Sequence, residues 1–218
     1  MIDSFALDIS QGHIRDIDTA GELPLPSRRR LRESLVRRLP DGRRSLNFVG
    51  LLGLACAKQA WPVWRTAFPS ESRPMNLAEA AVFGIKEGSD SAGRLGSEFM
   101  GVKTYLDNKF LLGSEYFPAI YAGFACWAVA RDVLSWVHGG PARGESEREI
   151  SPEDWDPCFL ASLAVTGGAV WEEGEESDKR REFWSWYLTA AVPEAFSATV
   201  DRPVREARLP PSSQDPLF

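Results

Sequence analysis

A chain of 218 residues that is 44% hydrophobic and 26% charged has the make-up of a folded soluble domain, which excludes wholesale disorder. Its net charge of −6 and pI near 5.1 argue against a nucleic-acid binder, which carries a basic surplus, and suit a basic protein partner. Cys56, Cys126 and Cys158 lie too far apart for metal-ligand spacing and are odd in number, so they read as small core residues in a reducing, cytoplasmic compartment.

The predicted elements are helical throughout. The opening MIDSFALDIS lacks a basic and an apolar region, so no secretory leader is expected there. Residues 27–44 carry eight arginines against Glu33 and Asp41, a local +6. Ser27 is placed to cap a helix RRRLRESLVRRL with Leu31, Leu35 and Leu39 on one stripe. Such an Arg-rich helix, 28–38, could face RNA or an anionic membrane, but the leucine stripe favours docking, with the arginines paired to acidic loops of the same molecule. Pro40-Asp41-Gly42 makes a turn, and a second helix covers about 44–60, apolar nearly all round. Pro62 should kink or end it.

Further along, Asn76 is placed to cap LAEAAVFGIKE, which Gly88 stops. Leu95, Phe99, Val102 and Leu106 repeat at spacings of 4, 3 and 4, the mark of an amphipathic helix over about 91–110. Ser114 is placed to cap an apolar helix 115–137. Its apolar run, roughly 116–130, falls short of the ~18–20 residues of a membrane span and reads as a core helix. A polar loop, 139–151, follows. Asp156-Pro157 looks like a cap followed by proline at the first helical position, opening CFLASLAVTGGAVW. Ser177 or Asp178 caps a last long helix that Pro193 ends or bends, and the tail after 200 is Pro-rich and irregular. With no alternating strand pattern, the class is all-α, a single-domain bundle of roughly eight or nine helices. It divides into an N-terminal extension 1–44 packed on the rest, a helical domain 45–200 and a tail 201–218.

The stretch KRREFWSWYLTAAVPEAF (179–196) holds four large aromatics in five positions behind three cations. Placed at about 100° per residue, Phe183, Trp184, Tyr187, Leu188 and Ala191 share one broad face, and Arg181, Ser185 and Thr189 share the other. Core packing explains that face. Trp186 is left on the flank, where it either covers a neighbouring helix or meets a partner.

Catalytic chemistry finds little support. His13 and His138 lack a recognisable nucleophile or carboxylate arrangement and read as surface or capping residues. Gly139-Gly140-Pro141-Ala142-Arg143-Gly144 lacks the Lys-Ser/Thr of a phosphate loop. Residues 145–182 hold twelve acids against four bases, a local −8. Within them Glu172, Glu175 and Glu176 could hold a metal against Glu153, Asp154 and Asp156, as in helical nucleotide pyrophosphohydrolases. Gly174 and like-charge repulsion favour a solvated loop instead. No catalytic residue, metal ligand or cofactor is therefore assigned.

Four segments, AKQAWPVWRTAFP (57–69), AIYAGFACWAVARDVL (119–134), WDPCFLASLAVTGGAVWE (155–172) and KRREFWSWYLTAAVPEAF, resemble in order and spacing a known family. It is the mostly α-helical immunity-protein family numbered five of bacterial polymorphic toxin systems. The resemblance spans roughly 45–197 and lies in Trp, Ala and Pro positions. It implies a protein that binds and blocks a cognate toxin in the producer's cytoplasm, with no active site of its own. Many such toxins are basic nucleases, so the acidic surface is the expected partner-binding face. Its residues are Asp154, Asp156, Glu172, Glu173, Glu175, Glu176 and Asp178, with Trp155, Trp171 and Trp186 as aromatic contacts. A metal-dependent nucleotide hydrolase and a general helical adaptor stay open beside it.

Overall fold

A computed structural model describes residues 4–84, 89–135, 146–169, 171 and 176–201. Among these there are helices and no strand, the all-α architecture expected. In chain order the helices are α1 (Ser4–Gly12), α2 (Leu25–Val36), α3 (Gly42–Ala67), α4 (Arg73–Gly84) and α5 (Ser89–Lys109). They continue with α6 (Phe117–Ser135), α7 (Pro157–Thr166), α8 (Ser177–Trp186) and α9 (Val192–Val200).

The centre is the antiparallel-type pairing of two apolar helices, α3 and α6, with α7 packed across both. Small residues permit it: Ala57, Ala60, Ala122, Ala125 and Ala128 are fully buried. Gly123 shows how close the approach is. A Cβ there would lie 2.6 Å from Leu106 Cδ2 and 2.6 Å from Trp64 Cζ3. Around this centre α4 and α5 cover one side of α6, α9 lies against α3, and α1 lies on α9. Ser114–Leu134 has the length and mean hydropathy, 1.2, of a membrane span, but two-thirds of that window is buried inside the bundle. It is a core helix.

Several boundaries differ from the sequence expectation. The Arg-rich helix starts two residues earlier than Ser27, at Leu25, because Pro24 and Pro26 set a helical entry. Asp41 belongs to no free turn; its carboxylate accepts from the Arg44 N–H and caps α3. Pro62 neither ends nor breaks α3, which runs on to Ala67. Trp64, wholly buried, donates Nε1–H to the Glu71 carbonyl at 2.7 Å and stacks with Trp61, so packing outweighs the ~3 kcal/mol that an interior proline costs. Likewise α4 begins at Arg73, ahead of Asn76, and Gly88 lies outside the described residues. A helix at the N-terminus, α1, has no counterpart in the sequence reading.

At the other end Pro193 lies in the first turn of α9, where the helical path changes type. Between α8 and α9, residues Tyr187–Ala191 form a π-helical turn, in which the Val192 N–H reaches back to the Tyr187 carbonyl. This wider turn accommodates a residue that donates no hydrogen bond of its own. The aromatic face read from 179–196 is as expected: Phe183, Trp184, Tyr187, Leu188 and Ala191 are buried, and Arg181 and Thr189 are exposed. Trp186 is half-buried at the core's edge, its ring 5.5 Å from Phe183.

Candidate partner-binding surface

The acidic surface is built around the short segment that enters α7. Asp156 Oδ1 accepts from the N–H groups of Cys158 (3.0 Å) and Phe159 (2.9 Å), capping that helix with Pro157 in its first turn. Its Oδ2 accepts from Arg28 Nε (3.2 Å) and Nη2 (3.1 Å), and Arg32 Nη2 stands 3.5 Å away. Burial alone would raise this carboxyl's pKa, but Arg28 and Arg32 overcome it and hold the group down at about 2. Asp156 is therefore corrected from a surface contact to an interior anchor: only 8% of it is exposed.

Arg28 is the hub of that interior. It is wholly buried, sandwiched between the rings of Phe159 (5.3 Å) and Trp184 (4.9 Å). Besides Asp156 it engages Glu147 and, at 3.4 Å, Glu22, and it donates to the Leu23 carbonyl. Arg180, also fully buried, stands 3.5 Å from Glu22 and donates to the Gly168 carbonyl at 3.0 Å. Burial pushes Glu22 up to about 8 against the pull of Arg28. One network thus ties residues 22–28, the 147–156 segment, α7 and α8 into a single body. Arg28 and Arg32 of the Arg-rich helix thus pair with an acid of the 147–156 segment, as the expected pairing with acidic loops of the same molecule implied. Exposed Arg37 pairs with Glu33, and exposed Arg30 faces Asp16 at 3.7 Å.

Sequence reading missed both buried arginines. Each carried a signal, however. Arg28 lies three residues before Leu31 on the apolar stripe, and Arg180 falls within the aromatic face of its helix. A charge on a core stripe points to a buried ion pair.

Above this network lies the exposed rim. Trp155 is half-buried, with its Nε1–H donated to the Glu147 carbonyl at 2.9 Å. Its ring meets Phe159 at 5.3 Å and Trp171 at 6.2 Å. Trp171 is 38% exposed, and the Arg148 guanidinium sits 5.0 Å from its centroid. Asp154, Glu176 and Asp178 are exposed. Glu176 pairs with Lys179 at 2.6 Å. Neighbouring Glu153 pairs with Lys103 of α5 at 3.0 Å, and Arg131 of α6 donates to the Glu153 and Trp155 carbonyls, pinning the rim to the bundle. Glu172, Glu173 and Glu175 lie outside the described residues, as does His138. The structure thus brings Trp155 and Trp171 into contact, and it keeps Trp186 on the flank of α8.

The arrangement is an exposed acidic and aromatic rim over a floor of buried ion pairs. Among the described residues no group of three or more His, Cys, Asp or Glu is arranged to hold a metal. Burial raises the pKa of the Cys56 and Cys126 thiols, which keeps them protonated and unreactive. His13 pairs with the Asp16 carboxylate, Oδ2 at 2.7 Å, a structural contact just after α1. That pair closes the turn between α1 and α2, and its hydrogen bond lowers the Asp16 pKa.

Residues 9–194 match the sequence model of the family described as immunity protein Imm5. The match takes in the Arg-rich segment, which the four resembling segments did not. No curated protein matches the chain.

Proposed function

The chain belongs to the Imm5 immunity-protein family, and from that premise we propose that it neutralises a cognate toxin by binding it directly in the cytoplasm of the producing cell. The single observation that carries this reading is the family match across nearly the whole folded chain. The geometry supports it, since the strongest cluster of charged side chains is sealed inside the core and engaged in structure.

Within this proposal the toxin meets the acidic rim of Asp154, Glu176 and Asp178 together with Glu172, Glu173 and Glu175. Exposed Trp171, backed by Trp155, supplies the aromatic contact. A basic toxin, such as a nuclease whose cleft attracts phosphates, complements that charge. Co-expression with each toxin domain encoded beside this gene provides the test. Growth is expected to be rescued against one of them, with a stable complex on size exclusion. Unrelieved toxicity for every neighbouring toxin would refute the reading.

A further inference from the structure

Three consecutive apolar residues stand on the surface at the end of α5. Phe110, Leu111 and Leu112, a single 3-10 turn, are 37%, 85% and 47% exposed, and Met100 on α5 is 58% exposed. An isolated exposed leucine needs no explanation, but an exposed run of this kind costs solubility unless something covers it. The turn is also held in place. Phe110 stacks on Phe124 at 5.6 Å and meets Phe117 edge-on at 5.3 Å, so its inner face is anchored to α6. Leu111 and Leu112 are left open to solvent, and Gly113, at φ +126°, then redirects the chain in a conformation that other residues rarely adopt. An apolar prominence fixed in advance binds with little further loss of conformational entropy.

The charges beside it are mixed, with a small acidic excess. Asp107 and Glu115 are exposed at its edges. Lys103 is shared between Asp107 at 2.9 Å and Glu153 at 3.0 Å, and Lys109, over the Phe68 ring at 4.5 Å, keeps its charge, so the acids Asp107, Glu115 and Glu153 outnumber the two lysines by one. The Lys103–Glu153 pair also joins this face to the acidic rim, so the two form one continuous side of the molecule.

We propose that the Phe110–Leu112 turn is the apolar centre of the toxin interface, inserting Leu111 into a recess of the toxin that is bordered by lysines or arginines. The proposal rests on the immunity reading. It assigns tight holding to the turn and encounter to the acids around it.

The test uses the full chain and the catalytically inactivated toxin domain encoded beside it, with binding rates measured at several salt concentrations. Leu111→Asp should weaken the complex at least ~30-fold, mainly through faster dissociation, and abolish protection in co-expression. Its melting temperature should match that of the unaltered protein, because the side chain touches little of its own fold. Leu111→Met should bind normally, and Asp107→Lys with Glu115→Lys should slow association most at low salt. If the unaltered protein binds the toxin and Leu111→Asp binds within about 3-fold of it, the turn is not the interface, while the immunity reading stands. If the unaltered protein binds no neighbouring toxin, the immunity reading itself fails. A dimer in sedimentation that Leu111→Asp dissociates, with toxin binding intact, would overturn the proposal in favour of a second copy of this chain.

Discussion

At the scale of single residues, Arg28 illustrates what a buried charge can and cannot be credited with. Its pairs with Asp156, Glu147 and Glu22 offset the cost of taking these groups out of water, and they do not mark it as a net stabiliser against a well-packed apolar side chain. Removing one partner is a different matter. Arg28→Met leaves Glu147 buried without its cation and Asp156 with Arg32 alone, at a cost of about 3–5 kcal/mol. Thermal unfolding should therefore drop by roughly 10 °C, a shift that calorimetry reads directly. Two of the acids respond to pH in opposite ways. Glu22, raised from 4.5 to about 8 by burial, takes up a proton on folding throughout that interval. Its contribution to stability is full below about pH 4.5 and is lost as pH rises through 8. Asp156 contributes fully above its ordinary 3.8 and loses that contribution as pH falls through about 2. Stability should then decline between about pH 5 and 8. Glu22→Gln should flatten this decline in urea titrations and leave the acid limb alone. An unchanged slope in that variant would mean that Glu22 is ionised in the fold.

Among the elements, α6 makes the most specific demand on its neighbours. Gly123→Ala would ordinarily favour a helix by about 0.5–1 kcal/mol, but here the new methyl meets Leu106 and Trp64 at 2.6 Å. Trp64 is wholly buried and hydrogen-bonded, so it cannot swing aside cheaply. Overpacking of this sort costs about 1–3 kcal/mol. The substitution should lower the unfolding midpoint in denaturant, and toxin binding at saturating protein should persist. A neutral or stabilising outcome would show that both α5 and the Trp64 side of α3 can move away from α6. The same helices show what was legible in the sequence. Leu95, Val102 and Leu106 announced a buried stripe, Asp156-Pro157 announced the start of α7, and the 179–196 aromatics announced their face, because each signal is local and periodic. Pro62 was less legible, since propensity knows nothing of Trp64 in the core and α3 runs on past it, whereas Pro193 falls in the first turn of α9, just after the π turn. The candidate surface was less legible still. Asp156 has the composition of the acidic loop around it, and only the distant arrival of Arg28, 128 residues away in sequence, draws it inside. The Phe110–Leu112 turn gave no warning, because an apolar triplet at a helix end reads as core.

Over the whole molecule the sign of the surface is set by where the arginines go. The +6 of residues 27–44 already counts Glu33, and from outside the segment Asp156, Glu147 and Asp16 pair with its arginines, while Arg37, Arg38 and Arg43 stay exposed. In residues 145–182 Glu147, Asp156 and Glu153 are paired with cations from elsewhere in the chain, while Asp154 and Asp178 are exposed. A charge of this kind acts at a distance. It raises the rate of encounter with a basic partner, up to 10⁸–10⁹ M⁻¹s⁻¹ at low salt, and adds little to the lifetime of the complex once formed. Reversing Glu172, Glu173, Glu175 and Glu176 to lysine should accordingly slow association with the toxin at low ionic strength. The deficit should shrink near 0.15 M salt, where charges are screened beyond about 8 Å, and dissociation should hardly change. Leu111→Asp should do the reverse, speeding dissociation at every salt concentration. Combining the two sets separates the roles: independent action predicts that their effects on the dissociation constant multiply, since the acids and the turn would govern different steps. If the reversed acids bind at the unaltered rate across all salt concentrations, the acidic loop takes no part in encounter, and the toxin docks through the α5 side of the molecule without electrostatic guidance.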